Sequence, residues 1–172
     1  TKNFKWTTDF IFSNAKNKVT ELKSDANVMS MISGSGFALE GNPVRSLYSL
    51  NFQGLNKEGL PTFINEKGEL TVTDINFQER ENKSHLVYEG STDPTITGSF
   101  GNIFSYKGFK LNVFMTYSFG NVIRLDPVFH NAYSDLDATP REFKNRWTVA
   151  GDEKITTVPV LSLIHISEPT RR

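Results

Sequence analysis

The sequence predicts an all-β protein built from antiparallel strands. The clearest evidence is the run FKLNVFMTYSF at 109–119, where apolar and polar residues alternate with the period of two that a strand requires. A similar run at 96–106 precedes it, and Lys107-Gly108 joins the two. Because glycine supplies the positive φ of a tight turn, these runs predict a long antiparallel hairpin. The composition agrees, with 14 Phe, 5 Tyr and 12 Gly.

Two further regions predict strands. Phe4, Trp6, Phe10 and Phe12 alternate with polar residues, so the chain should begin with a strand. Polar residues at 14–17 predict a turn, and 18–22 should return as the second strand of a first hairpin. Another strand is expected at 44–54, with Tyr48, Leu50 and Phe52 on one face.

One short helix is predicted near 140–147. The residues Thr139-Pro140-Arg141-Glu142 form a capping box, with proline at the first helical position. The polar stretches 23–41, 55–86 and 126–156 are predicted as long loops. Such loops are unusual in a compact soluble domain but normal on one side of an outer-membrane barrel.

Strand length also favours a membrane barrel. The 109–119 run matches the ~9–11 residues of a tilted membrane strand, whereas soluble strands average ~5–6 residues. We therefore expect antiparallel strands from part of a large transmembrane β-barrel, with odd positions facing lipid and even positions facing the lumen. The predicted lipid-facing residues are Phe109, Leu111, Val113, Met115, Tyr117 and Phe119. The predicted lumen-facing residues are Lys110, Asn112, Thr116 and Ser118. Burial of the odd positions in a soluble β-sandwich is the alternative.

Composition and motifs do not favour a nucleic-acid-binding protein, a metalloprotein or an enzyme. Lys+Arg and Asp+Glu both number 19, so no basic excess exists for nucleic acid. Cysteine is absent, and His85 and His130 have no second ligand at metal spacing, which predicts surface loop residues and no metal site. The adjacent pair Asp152-Glu153 fits solvated loop charges better than acid–base catalysis. We expect no enzyme activity and no cofactor.

Aromatic residues in the predicted loops allow two interpretations. Their rings can stack on sugar faces, or they can pack the loops together or contact a partner protein, and packing is the favoured interpretation. They are Phe63, Tyr88, Phe129 and Tyr133.

Four blocks of this chain, in order, resemble the SusC/RagA family of TonB-linked (TonB-dependent) outer-membrane transporters. The blocks are FKWTTDFIFSNAKNKVTEL at 4–22, EGNPVRSLYSLNFQGLNKEGLPTF at 40–63, YEGSTDPTITGSFGNIFSYKGFKLNVFMTYSFGN at 88–121 and RWTVAGDEKITTVP at 146–159. The third block, a Gly-Ser and a Pro before a glycine-rich aromatic hairpin, is the most specific. The fourth block departs from the family pattern at Ala150, where proline is expected.

The resemblance implies a location and a set of partners. It places the chain in the bacterial outer membrane, in contact with outer-membrane lipid, and implies a SusD-like surface lipoprotein as partner. The cargo would be an oligosaccharide or a peptide, and TonB would act through N-terminal regions that match nothing in this chain. Arg146, Trp147, Gly151 and Asp152 are the candidate partner-contacting or loop-forming residues. The alternative function is a secreted β-sandwich carbohydrate-binding module.

The expected organisation has two parts. Residues 1–160 are expected to be an internal piece of a TonB-dependent receptor β-barrel. Residues 161–172, LSLIHISEPTRR, resemble a translated sequencing adapter and are expected to be a non-native tail. A short strand at 161–166 followed by a polar tail is the alternative.

Overall fold

The computed structural model describes residues 4–34, 36–128 and 139–161. Within them it contains strands β1 (Phe4–Asn14), β2 (Ser46–Leu55), β3 (Pro61–Ile64), β4 (Leu70–Thr71), β5 (Leu86–Ser91), β6 (Ile96–Tyr106) and β7 (Phe109–Phe119). One α-helix, α1 (Val28–Ile32), and two 3-10 turns, Arg141–Asn145 and Asp152–Lys154, complete these elements. The fold is mainly antiparallel β, which confirms the predicted class.

The long sheet consists of β1, β6 and β7, in the order β1-β6-β7. All three strands are 11 residues long and pair antiparallel without a break in register. The predicted hairpin between β6 and β7 is confirmed. Its turn residues both have positive φ, 45° at Lys107 and 87° at Gly108, which matches the right-handed twist of the flanking strands.

The first predicted hairpin is wrong. Residues 18–22 form no strand, and β1 pairs instead with β6, from Phe4 opposite Tyr106 to Asn14 opposite Ile96. The reason is side-chain complementarity, because this register sets Trp6 beside Phe104 and Phe10 beside Phe100. A strand at 18–22 offers no comparable apolar rows.

Residues 15–95, here the inserted subdomain, fold between β1 and β6. A four-stranded sheet in the order β4-β3-β2-β5 packs against α1. The predicted strand at 44–54 is β2, but the predicted loops 23–41 and 55–86 are wrong in part, because they contain α1, β3 and β4. Two buried clusters hold this subdomain together. They are Val28, Leu50, Phe63 and Ile75, and Ala26, Met31 and Tyr48.

The predicted helix near 140–147 is only a 3-10 turn, Arg141–Asn145. Pro140 occupies the cap position and no side chain caps the turn, so the predicted capping box does not form. With one turn and no buried residue, the segment lacks the tertiary packing that sustains a short α-helix in water.

Several predicted features lie outside the described residues. They are Phe129, His130, Tyr133 and residues 162–172 of the expected tail. Of the two other loop aromatics, Phe63 is fully buried in β3, which confirms packing for that ring, and Tyr88 is half exposed on β5.

His85, predicted to lie on the surface, is buried with only 4% of its surface exposed. Neither of its ring nitrogens has a hydrogen-bond partner among the described residues. Burial therefore lowers the pKa of His85, while the nearby carboxylates of Glu66 and Glu79 oppose that shift. The inserted subdomain thus favours the neutral imidazole.

This burial predicts a pH-dependent stability. Below pH 6.5, the ordinary pKa of histidine, the unfolded chain gains a proton that the folded subdomain resists. The free energy of unfolding should therefore fall as the pH drops from 6.5 towards the lowered pKa of His85. Below pH 4.5 the lowered pKa values of Glu79, Asp152 and Glu153 add a separate fall, so the contribution of His85 is read above that pH. Denaturant unfolding of the detergent-solubilised chain, followed by the fluorescence of Trp147 in a Trp6→Phe background, measures this. His85→Phe is the control and should remove the pH slope; an unchanged slope in that variant would contradict the prediction.

Candidate functional site: the apolar face of the long sheet

The long sheet has two chemically different faces. Residues directly opposite one another in an antiparallel pair project on the same side, so the register assigns every side chain to a face. One side, here the apolar face, carries Phe4, Trp6, Thr8, Phe10, Phe12, Asn14, Ile96, Phe100, Asn102, Phe104, Tyr106, Phe109, Leu111, Val113, Met115, Tyr117 and Phe119. The opposite side, here the polar face, carries Lys5, Thr7, Asp9, Ser13, Thr97, Ser99, Ser105, Lys110, Asn112, Thr116 and Ser118, with Ile11, Ile103 and Phe114 as its apolar members.

The apolar face is exposed. Phe109 is 83% exposed, Phe10 65% and Trp6 61%, and most of the other large side chains on this face are similarly open. A contiguous apolar surface of this kind marks contact with a partner or a membrane, because exposure to water is unfavourable in proportion to apolar area.

Aromatic rings concentrate towards both ends of the apolar face. Phe4, Tyr106 and Phe109 form the row nearest the turn, and the Trp6 and Phe104 rings stack behind it with centroids 5.9 Å apart. At the other end, Tyr117 stacks on Phe119 at 5.7 Å and on Phe10 at 6.3 Å.

The polar groups near the middle of the apolar face are hydrogen-bonded to one another. Asn102, only 7% exposed, accepts hydrogen bonds through Oδ1 from Trp6 Nε1 at 2.9 Å and Thr8 Oγ1 at 2.8 Å. Such internal pairing is what a polar group needs in apolar surroundings, where an unmade hydrogen bond is costly.

Gly98 makes room for a tyrosine. The Tyr117 side chain crosses Gly98, and its hydroxyl donates to the Ile11 carbonyl at 3.0 Å. A Cβ at Gly98 would collide with both the Tyr117 hydroxyl and the Ile11 carbonyl oxygen. An aromatic side chain covering a strand glycine in this way pins the register of the pairing.

The polar face has its own local packing. The ring of Phe114, the one lapse in the alternation of β7, lies beside Gly101 on the neighbouring strand. Because Gly101 lacks a side chain, Phe114 covers backbone that would otherwise be open to water.

Both outer strands have a free side. Within the described ranges, β1 and β7 each pair only with β6, so one edge of each strand has no backbone partner. Edges this long and apolar readily pair with further strands.

The two ends of the long sheet also differ. The turn Lys107-Gly108 closes one end, here the hairpin end. Both long connections leave from the other, here the loop end: the inserted subdomain follows β1, and residues 120–161 follow β7. Backbone hydrogen bonds from Ala15 to Thr95 and from Thr95 to Phe119, each 3.0 Å, close the loop end.

The four candidate partner-contacting or loop-forming residues lie beyond the loop end. Trp147 packs its indole against Gly59, and its Nε1 donates to Glu153 Oε2 at 3.3 Å. Gly151, with φ of 112°, starts the second 3-10 turn. The guanidinium of Arg146 lies 4.6 Å from the Phe143 ring centroid, and Arg146 and Asp152 both line a cleft of about 910 Å³.

Asp152 holds this turn together. Its Oδ2 accepts hydrogen bonds from the backbone N–H groups of Thr148 and Val149 and from the Thr148 hydroxyl. These donors lower the pKa of the Asp152 carboxyl. Gly151 N–H donates to Glu153 in the same way, so the adjacent carboxylates both serve turn geometry.

Two specific features are absent from the described part of the chain, a metal-binding cluster and a membrane-spanning helix. No three His, Asp or Glu side chains there come close enough together to hold a metal ion. None of the described helices is long and apolar enough to cross a membrane.

The packing at Gly98 yields a stability prediction. Gly98→Ala should lower the free energy of unfolding of the long sheet by about 1–3 kcal/mol, the usual cost of overpacking, because the added methyl group displaces Tyr117 and the Ile11 carbonyl. Gly101→Ala is the matched control and should cost less, because its methyl group meets the exposed Phe114 ring at 3.2 Å and Asp9 Cβ at an ordinary contact distance of 3.8 Å. Trp6 fluorescence during unfolding in detergent, in a Trp147→Phe background, reports the sheet. Equal costs at the two glycines would contradict the prediction.

Comparison with known proteins found no protein-family model that matches this chain and no curated protein significantly similar to it.

Proposed function

We propose that this chain is a segment of the barrel wall of an outer-membrane, TonB-dependent transporter. The observation that carries the proposal is the long sheet: three neighbouring 11-residue antiparallel strands with one exposed apolar face and one mainly polar face.

The dimensions of the strands support this role. Eleven residues at about 3.4 Å per residue span some 35 Å, and a tilt of about 45° reduces the height to about 25 Å. That height equals the outward apolar band of an outer-membrane barrel, about 25 Å tall between two aromatic girdles. The aromatic rows at both ends of the apolar face correspond to such girdles.

The connections support the same role. Barrels of this kind have short turns on the periplasmic side and long loops outside. Here the two-residue turn closes the hairpin end, and both long connections leave from the loop end. In the proposal the hairpin end faces the periplasm, and the inserted subdomain lies outside the cell. The free edges of β1 and β7 then pair with further strands of the barrel.

The proposed orientation assigns the faces. Phe109, Leu111, Val113, Met115, Tyr117 and Phe119 contact lipid, and Lys110, Asn112, Thr116 and Ser118 line the lumen. The resemblance of 88–121 to the SusC/RagA family extends the proposal to import of oligosaccharides or peptides with a SusD-like lipoprotein. The structured regions beyond the loop end, including Arg146 and Trp147, are where such a partner makes contact.

The first test concerns solubility. In plain buffer the chain should aggregate, because the apolar face and two strand edges are open to water. Replacing Trp6, Phe10, Leu111 and Met115 together by Thr should restore a soluble species in size-exclusion chromatography.

The matched control replaces Ile11, Ile103 and Phe114, on the polar face, by Thr and should leave aggregation unchanged. A wild-type chain that is monodisperse and melts cooperatively without detergent would favour the secreted β-sandwich module instead.

The second test concerns the faces of β7. The segment contains no cysteine, so single cysteines can be placed at Val113 and Asn112 in the intact transporter. In intact outer membranes, a membrane-impermeant thiol reagent should label the cysteine at Asn112 and spare the one at Val113. Val113→Arg should also cost about 2–4 kcal/mol in folding near the bilayer midplane, with a smaller penalty for Asn112→Arg. Equal labelling at both positions would refute embedding of this strand.

A further inference from the structure

The hairpin end of the long sheet carries a cluster of positive charge. Lys5 and Lys110 flank Ser105 in one row of the polar face, about 10 Å apart across two strand spacings, and Lys107 occupies the turn beside them. None of these three lysines forms an ion pair with any described residue. The one acidic residue of the long sheet, Asp9, lies further along β1, opposite Gly101.

Within the three strands and the turn of the long sheet, positive charge is confined to this end. At the loop end, the last two rows contain Ser13, Thr97 and Ser118, and Asn14, Ile96 and Phe119, none of them charged. The whole chain has zero formal net charge, so it has no bulk attraction to anions. A preference for anions must therefore come from a local arrangement.

The lysines share this end with the outermost aromatic row. Together with Phe4, Tyr106 and Phe109, they line a shallow cleft of about 330 Å³. Lys107 Nζ lies 5.4 Å from the centroid of the Tyr106 ring. This arrangement is complementary to a phospholipid at the membrane interface. The acyl chains of the lipid contact the rings, and its phosphate contacts the ammonium groups of the lysines.

We infer that the hairpin end binds the headgroups of anionic phospholipids in the leaflet that it faces. The inference rests on the proposed function, because the lysines meet headgroups only if the apolar face is in the membrane. Lys5 and Lys110 belong to the polar, lumen-facing side, but they lie one position from the strand ends and share the hairpin-end cleft with the rings of the apolar face. At such a position a long lysine side chain can carry its ammonium group past the strand end to a headgroup phosphate. Such binding anchors the sheet at a defined depth and distinguishes its two ends.

The test uses the full chain, reconstituted with vesicles of phosphatidylcholine alone or with an equal share of phosphatidylglycerol. All proteins carry Trp147→Phe, so that Trp6, on the apolar face, is the single tryptophan. Flotation measures partitioning into each vesicle type, and quenching of Trp6 by brominated acyl chains measures membrane contact of the apolar face. The variants are Lys5→Gln/Lys107→Gln/Lys110→Gln and the control Lys16→Gln/Lys18→Gln/Lys57→Gln, which removes three exposed lysines away from the hairpin end.

The parent and the control should partition into the vesicles that contain phosphatidylglycerol more than about tenfold better than into phosphatidylcholine alone. Each lysine near an anionic surface raises partitioning about fivefold. The hairpin-end variant should lose most of that preference while Trp6 stays quenched. Added salt should reduce the preference, and inorganic phosphate at equal ionic strength should compete no better than chloride, since the occupant is a lipid.

Three outcomes would overturn the inference, and they differ in whether they also overturn the proposed function. The hairpin-end variant could keep its full preference for phosphatidylglycerol vesicles, or the control could lose as much of that preference as the variant. Either result, with Trp6 still quenched, refutes headgroup binding at this end but leaves the proposed function standing. An unquenched Trp6 in both vesicle types refutes the membrane-facing role of the sheet, and the headgroup inference falls with it.

Discussion

The structure depends on the pairing of β1 with β6. These strands are separated in sequence by the whole inserted subdomain, yet they align over 11 residues without a bulge. Closing so long a loop costs conformational entropy, but that cost grows only slowly with loop length. Matched rows such as Trp6 with Phe104, and the continuous hydrogen-bond ladder, offset it. The backbone hydrogen bond from Ala15 to Thr95 extends the ladder to the first and last residues of the inserted subdomain, so the subdomain starts and ends at adjacent points.

The chain follows opposite burial rules in its two sheets. In the inserted subdomain Val28, Leu50 and Phe63 are buried against one another, as in any water-soluble core. In the long sheet, rings of equal size remain exposed on one face, while serine and threonine populate the other. The apolar face of the long sheet therefore needs a partner or a membrane to cover it, whereas the core of the inserted subdomain is covered by the chain itself.

Contacts beyond the loop end join the segment that follows β7 to the inserted subdomain. The Val122 N–H donates to the Ser91 carbonyl, and Arg124 donates to the Tyr48 carbonyl. Trp147 packs on Gly59, and the Val160 N–H donates to the Gly59 carbonyl. The segment that follows β7 is therefore fastened to the inserted subdomain at several points. If the proposed partner binds there, it meets a preorganised surface, which reduces the entropy lost on binding.

The sequence alone determined the local features. The alternation in 96–106 and 109–119 and the Lys107-Gly108 turn predicted the hairpin with correct bounds, because period-two patterning and turn chemistry act over a few residues. It also determined which side chains share a face of β7. Only the tertiary structure decided the partner of β1, since strand pairing depends on complementary rows elsewhere in the chain. The burial of His85 and the short strands within the predicted loops likewise depend on long-range packing. The helix predicted after Thr139 fails for the opposite reason, because no packing supports it. His85 stands in a polar stretch of the sequence, which predicts a surface position, but in the folded subdomain only 4% of its surface is exposed.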